Sequence, residues 1–182
     1  MIRSTAPAVS YIDQPRFTRG LASGEIHKPI VFACSDMGWT LPRIPHDSDV
    51  LIFQNFGHQM CPSELSRIIR RTNSNHVLLY GHTDCKFLEW LLDSRSSEEM
   101  IHQVLMDRGS RSYVESVRHS NCKSTHDLAQ WLLLRHLTLL QQSNAVKTSA
   151  GHLELQLHAW LFIEPENKLR VYDPLCAKFV DS

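Results

Sequence analysis

Val31-Phe-Ala-Cys-Ser-Asp-Met37 is the stretch whose reading decides the fold. Ile30 to Ala33 is continuously apolar, as a central strand of a parallel sheet is when both its faces are covered. It delivers Cys34, Ser35 and Asp36 to the point where a strand would end. A second stretch has the same design: His76-Val-Leu-Leu-Tyr80 reads as a strand and runs into Gly81-His-Thr-Asp-Cys85. If the two strands lie side by side, their ends bring together a thiol, an imidazole and a second thiol. Zinc favours that donor set, and ligands at the carboxyl ends of adjacent parallel strands fall in the usual ligand crevice of an α/β sheet.

The 182 residues are expected to form a single domain, 1–182, with residues 1–20 as an N-terminal arm packed on the body or on a neighbouring subunit. Hydrophobic residues make up 42%, which excludes a mostly disordered chain. Nineteen basic residues balance nineteen acidic ones, so charge points to neither nucleic acid nor an anionic membrane. No apolar run reaches the length needed to cross a bilayer. Met1–Gly20 lacks the apolar centre of a secretion signal, and the five cysteines at irregular spacing do not form a disulfide framework. Reduced thiols and a cytoplasmic location are the expectation.

The chain then reads as alternating β and α elements. A short helix fits Pro15–Ala22, and Met37–Ser48 reads as a loop because of Gly38, Pro42 and Pro45. Asp49–Phe53 is a second strand, Glu64–Arg71 an amphipathic helix opened by Pro62 and Ser63, and Lys86–Leu92 a helix leaving the His-Cys turn. Between Ser94 and Lys123, Met100, Val104 and Leu105 suggest one helix and Tyr113, Val114 and Val117 another. Asp127–Gln142 is a strong helix whose apolar side carries Leu128, Trp131, Leu132, Arg135 and Leu139, with His136 packed. A last strand over Leu153–Ile163 shows apolar residues alternating with Glu154, Gln156 and His158, then a turn at Pro165–Lys168 and a returning strand Leu169–Tyr172. The fold class is α/β: a central, mainly parallel sheet flanked by helices, with an antiparallel C-terminal hairpin.

Spacing alone leaves two readings of Cys34, His82 and Cys85 open, a metal site or two buried thiols beside a core histidine. The surrounding words favour the first. Ala33-Cys-Ser-Asp36, Asp49-Val-Leu-Ile-Phe-Gln-Asn-Phe-Gly57 and Val77-Leu-Leu-Tyr-Gly-His-Thr-Asp-Cys85 resemble the Cys-x-Asp-x-Arg, Arg-Asn-x-Gly-Asn and Gly-His-x-x-Cys-Gly motifs of the β-class carbonic anhydrases, in order and at similar spacing. Leu155–Ile163 resembles that family's His-Gly-Trp strand, and the likeness spans roughly residues 20–175. The resemblance implies zinc held by Cys34, His82 and Cys85, with Asp36 either catalytic or a fourth ligand. It implies reversible hydration of carbon dioxide to bicarbonate by zinc-bound hydroxide, a substrate pocket around Gln54, Asn55, Gly57 and Lys86, and a homodimer or higher homo-oligomer. A small-molecule substrate is expected, and no nucleic acid or membrane partner.

The chain also departs from the family's pattern. Gly38 stands where the first motif has arginine, Gln54 and His58 replace the outer residues of the second, and Lys86 follows the third where the family has glycine. Glu25 aligns loosely with an upstream glutamine of the family, and Arg43 is a conceivable substitute for the missing arginine. With no visible partner, Asp36 is expected to prefer the metal. His58 fits either a proton shuttle or a surface histidine. Two alternatives to carbon dioxide hydration follow: a homologue impaired in catalysis with a structural or regulatory role, or a hydrolase of a related small electrophile such as carbonyl sulfide or carbon disulfide.

Overall fold

The computed structural model describes residues 7–38, 41–45, 49–55, 62–93, 117, 120–150 and 154–182. In order these form β1 (Ala8–Val9), α1 (Gln14–Ser23), β2 (Ile30–Cys34), β3 (Leu51–Asn55), α2 (Pro62–Thr72), β4 (His76–His82), α3 (Lys86–Asp93), α4 (Thr125–Gln142), α5 (Asn144–Ala150), β5 (Gln156–Ile163), β6 (Lys168–Asp173) and β7 (Lys178–Asp181). One sheet has the order β3-β2-β4-β5-β6-β7, with β1 paired to the start of β5. The pairings β2/β3, β2/β4, β4/β5 and β1/β5 are parallel, whereas β5/β6 and β6/β7 are antiparallel. A parallel core closed by an antiparallel C-terminal hairpin is the expected class, with one further strand, β7, added at its edge.

Every residue of β2 and β4 is buried. Alternate side chains enter two apolar clusters, one on each face of the sheet. Ile30, Phe32 and Cys34 of β2, Val77 and Leu79 of β4, and Leu157, Ala159 and Leu161 of β5 meet α2, α3 and α4 on one side. Val31, Ala33, Leu78, Tyr80, Trp160 and Phe162 meet Phe17 of α1, together with Ile12, Ile26, Leu41 and Ile44, on the other. This two-sided cover is why the strands are unbroken apolar runs rather than alternating ones.

Local signals set the helix ends. Asp13 accepts from the Arg16 amide at 2.7 Å to open α1, and Ser124 accepts from the Asp127 amide at 3.1 Å to open α4. In α4 the buried side is Leu128, Ala129, Leu132, Leu133, His136, Leu137 and Leu140, so His136 is packed as expected. Leu139, expected on that side, is instead 42% exposed, because the buried stripe lies one position over. The helices expected from Met100–Leu105 and Tyr113–Val117 fall outside the described residues, apart from Val117, which is buried. Among the described residues no helix is long and apolar enough to cross a membrane.

The described part of the arm packs on the body. β1 hydrogen-bonds to β5, Trp160 Nε1 donates to the Ile12 carbonyl at 2.8 Å, and the Trp160 ring meets Phe17 edge-on at 5.1 Å. The alternation read in Leu153–Ile163 does not mark a half-exposed strand, since Leu157 through Ile163 are all buried. His158 is accommodated by pairing: its Nδ1 lies 2.9 Å from the Ser10 carbonyl and its Nε2 lies 2.9 Å from Nδ1 of His76, with the two rings stacked. A carbonyl only accepts, so His158 presents its Nδ1 proton to Ser10, and a neutral His158 then accepts from His76 at Nε2.

Burial lowers the pKa of both imidazoles, and that of His158 falls to about 3 despite the Ser10 carbonyl. Arg16 pushes the same way on both, while Glu25 opposes it on His76. A pKa below the unfolded value means that the unfolded chain takes up protons first as pH falls below about 6.5. Stability is therefore expected to drop by up to about 1.4 kcal/mol per pH unit on account of His158 as pH falls from about 6.5 toward 5, with His76 acting in the same direction. Urea unfolding across that window checks this; a constant midpoint would contradict a neutral buried pair.

Candidate metal centre

Strand register builds the centre. Ile30–Ala33 of β2 runs parallel to Val77–Tyr80 of β4, so the next residue of β2, Cys34, falls beside Gly81, and His82 completes β4. His82 thus sits on the last residue of a strand rather than on the turn that follows it. Gly81 has a packing reason to be glycine, because a Cβ there would lie 2.9 Å from Cδ1 of Leu133 in α4. Cys85 precedes α3, with its carbonyl accepting from the Glu89 amide at 3.0 Å.

The donor atoms of Cys34, His82 and Cys85 all lie within 4.8 Å of one another, and the three residues are buried at 0%, 1% and 0% exposure. The two sulfurs are 3.7 Å apart, far beyond a disulfide bond. Two sulfurs each about 2.3 Å from one tetrahedral zinc would stand roughly 3.8 Å apart, so the spacing suits that ion. The hydrogen bond to Cys34 and burial push the Cys85 thiol up, although the Leu88 and Phe87 amides at the start of α3 pull against them. A dication reverses that preference by stabilising both thiolates. Burial works to lower the His82 pKa, but the Cys34 thiol and the Glu164 carboxylate outweigh it and raise it.

Asp36 is exposed, in a short 3-10 turn over Ser35–Met37, and is not part of that three-residue cluster. Its Oδ2 accepts from the backbone amide of Lys86 at 2.7 Å. The partner that the sequence did not reveal is therefore a main-chain N–H at the start of α3. Gly38, at the arginine position, has φ +70° and ψ −167°, a backbone region open essentially to glycine alone. Its carbonyl accepts from Nε2 of Gln54. Arg43 does not reach Asp36; its Nη2 donates to the Asn167 carbonyl at 3.2 Å.

Of the expected pocket residues, Gln54 lies on β3 with its side chain bonded to the loop after Asp36, and Asn55 is in register with Cys34. Lys86 begins α3 with an exposed side chain and contributes its amide. Gly57 and His58 lie outside the described residues. Glu25 is not at the centre: its charge acts on His76, at the opposite end of β4 from His82. One residue at the centre had no sequence signal. Glu164, which opens a 3-10 turn after β5, places Oε1 3.2 Å from Nδ1 of His82. The two are 82 positions apart, so only the β4/β5 pairing of His82 with Phe162 brings them together.

No family model matches the sequence, and no curated protein matches it. Solved structures do. The β-carbonic anhydrase CcaA superposes with a TM-score of 0.65 at 19% identity, covering 91% of this chain and 89% of its own. The β-carbonic anhydrase CafD of the filamentous fungus Aspergillus fumigatus gives 0.62 at 15% identity, with 90% and 98% covered. CafA of the same fungus gives 0.54 at 21% identity, with 87% and 81% covered. At such identities the likeness speaks for architecture, and it agrees with the strand order and the C-terminal hairpin: the chain has the fold of the β-carbonic anhydrases.

Proposed function

We propose that this chain is a single-domain zinc lyase that hydrates carbon dioxide reversibly to bicarbonate. The observation that carries the reading is the buried Cys34–His82–Cys85 cluster at the carboxyl ends of β2 and β4, within a fold shared with β-carbonic anhydrases. Zinc held there by the two thiolates and the imidazole would supply a Lewis acid that makes water nucleophilic near neutral pH. Three protein ligands leave a tetrahedral ion one open position, as a catalytic site needs.

The chain's own part is to hold a proton acceptor beside that position. Lys86 N–H fixes Oδ2 of Asp36, which leaves Oδ1 to accept a proton. Gln54, bonded to the Gly38 carbonyl, anchors the loop that carries Asp36. The backbone amide does part of the work that an arginine would do in the family's motif, without its positive charge. A cytoplasmic location is part of the same proposal, since a cysteine metal site needs reduced thiols. A homodimer is the assembly we propose, as the motif resemblance implies.

A second reading keeps the zinc without the turnover, and Gly38 favours it. Its backbone conformation excludes a simple return to arginine, and Arg43 is already bonded to the Asn167 carbonyl. Under that reading the chain is a structural or regulatory subunit. Carbonyl sulfide and carbon disulfide, linear electrophiles of the same shape, are the further substrates to assay.

The first of three measurements separates these readings, and the other two test the metal site and the loop they share. Zinc-loaded protein is expected to bind one ion per chain and to accelerate carbon dioxide hydration in stopped flow between about pH 7 and 9. Stoichiometric zinc with rates equal to buffer at every pH would support the second reading instead. Cys34→Ser is expected to lose the ion while keeping its far-ultraviolet circular dichroism, because two apolar clusters hold the sheet independently. Gly38→Ala is expected to cost about 1–3 kcal/mol in urea unfolding from backbone strain alone, since the added Cβ would meet nothing within 4 Å. An unchanged midpoint would show that the loop relaxes freely and reopen arginine at this position.

A further inference from the structure

Glu164 has no role in the reading above, yet its surroundings are unusual for a carboxylate. Its Oε1 has His82 Nδ1 as a partner at 3.2 Å. Its Oε2 is buried with no hydrogen-bond partner among the described residues. The side chain is 30% exposed, while the imidazole it faces is 1% exposed. The neighbouring glutamate, Glu166, is in contrast paired on the surface with Lys168 at 3.0 Å. A half-sheltered carboxylate is costly unless positive charge lies close by, and among the described residues its recorded ion-pair contact is with His82.

The local backbone fixes its position. Pro165 lies in the first turn of the 3-10 segment Glu164–Glu166, and the segment ends on Asn167 in a left-handed conformation whose amide donates to the Glu164 carbonyl at 3.1 Å. On the other side, the Thr83 amide donates to the Phe162 carbonyl at 3.1 Å and ties the residue after His82 to β5. The glutamate and the histidine are therefore presented to each other by adjoining, hydrogen-bonded backbone.

We propose that Glu164 is a positioning residue for the metal centre, holding the proton on Nδ1 of His82 so that Nε2 presents its lone pair to an ion bound by Cys34 and Cys85. An ionised carboxylate can only accept, so the Nδ1 contact selects one tautomer and orients the ring. It also makes the imidazole a stronger donor, as outer-sphere carboxylates do for metal-ligating histidines. The positive charge that Glu164 answers is then that of the metal, acting through the ring. This inference rests on the zinc reading of the same cluster.

Metal affinity tests it without recourse to turnover. Zinc-stripped wild type, Glu164→Gln, Glu164→Ala and the surface control Glu166→Ala are titrated with zinc against a chromophoric chelator, and with cobalt for the thiolate charge-transfer and ligand-field bands. Glu164→Ala is expected to bind zinc about 10–100-fold more weakly and to shift the cobalt bands, with the urea midpoint of the metal-free protein unchanged. Glu164→Gln retains an oxygen that accepts from Nδ1 but loses the charge, and is expected to fall between Ala and wild type. Glu166→Ala is expected to match wild type. Affinities and cobalt bands equal to wild type in whichever Glu164 variants fold would overturn the assignment. Wild type that takes up neither ion would instead overturn the zinc reading, and this inference with it.

Discussion

The parallel pairing of β2 with β4 is the constraint on which the rest depends. Register sets Ala33 against Tyr80, so both strands stop within a residue or two of each other and leave Cys34 and His82 at one edge of the sheet. Slipping the pairing by one residue would turn the side chains of one strand to the opposite face. Such a slip is costly because Phe32 and Leu79 belong to the cluster under α2, α3 and α4, while Val31 and Leu78 belong to the one under α1. The apolar cores thus hold the cysteine–histidine–cysteine geometry from outside the centre. The same cover excludes water from Cys34 and Cys85, which raises the cost of free thiolates and makes a cation there more valuable.

Backbone groups take over work that side chains would be expected to do. Asp36 is held by the Lys86 amide, and the Gly38 carbonyl is tied to Gln54. Both contacts join the loop after β2 to elements far along the chain. A main-chain donor cannot be lost by substitution of Lys86, other than by proline, and it adds no full charge beside the centre. That neutrality distinguishes this arrangement from an arginine partner, whose guanidinium would compete with a metal dication for the carboxylate.

Legibility in the sequence followed the range of the interaction. β2, β4, α2, α3 and α4 were readable because apolar runs, helical periodicity and caps such as Ser124 are local. β1 was not, since two residues carry no period and exist as a strand only through their bonds to β5. α5 and β7 were missed for similar reasons of length and composition. His158 misled the reading of β5, because a histidine in an alternating run implies exposure unless a second buried histidine is known to meet it. Glu164 was invisible because its partner lies on another strand.

What the sequence determined by itself is the donor inventory and the fold class. Two strand-like runs ending in Cys34 and in His82-Thr-Asp-Cys85, with helices between and a hairpin after, admit few arrangements other than a parallel sheet with these residues at its carboxyl edge. Only the tertiary structure decided the distances and the partners. It put the sulfurs 3.7 Å apart, turned Asp36 to the Lys86 amide, sent Arg43 to Asn167 and brought Glu164 to His82. The physical reason is common to all four. Propensity and periodicity act over a few residues of chain, whereas a hydrogen bond or a ligand set is defined by a few ångströms of space, and packing of the whole sheet is what converts one into the other.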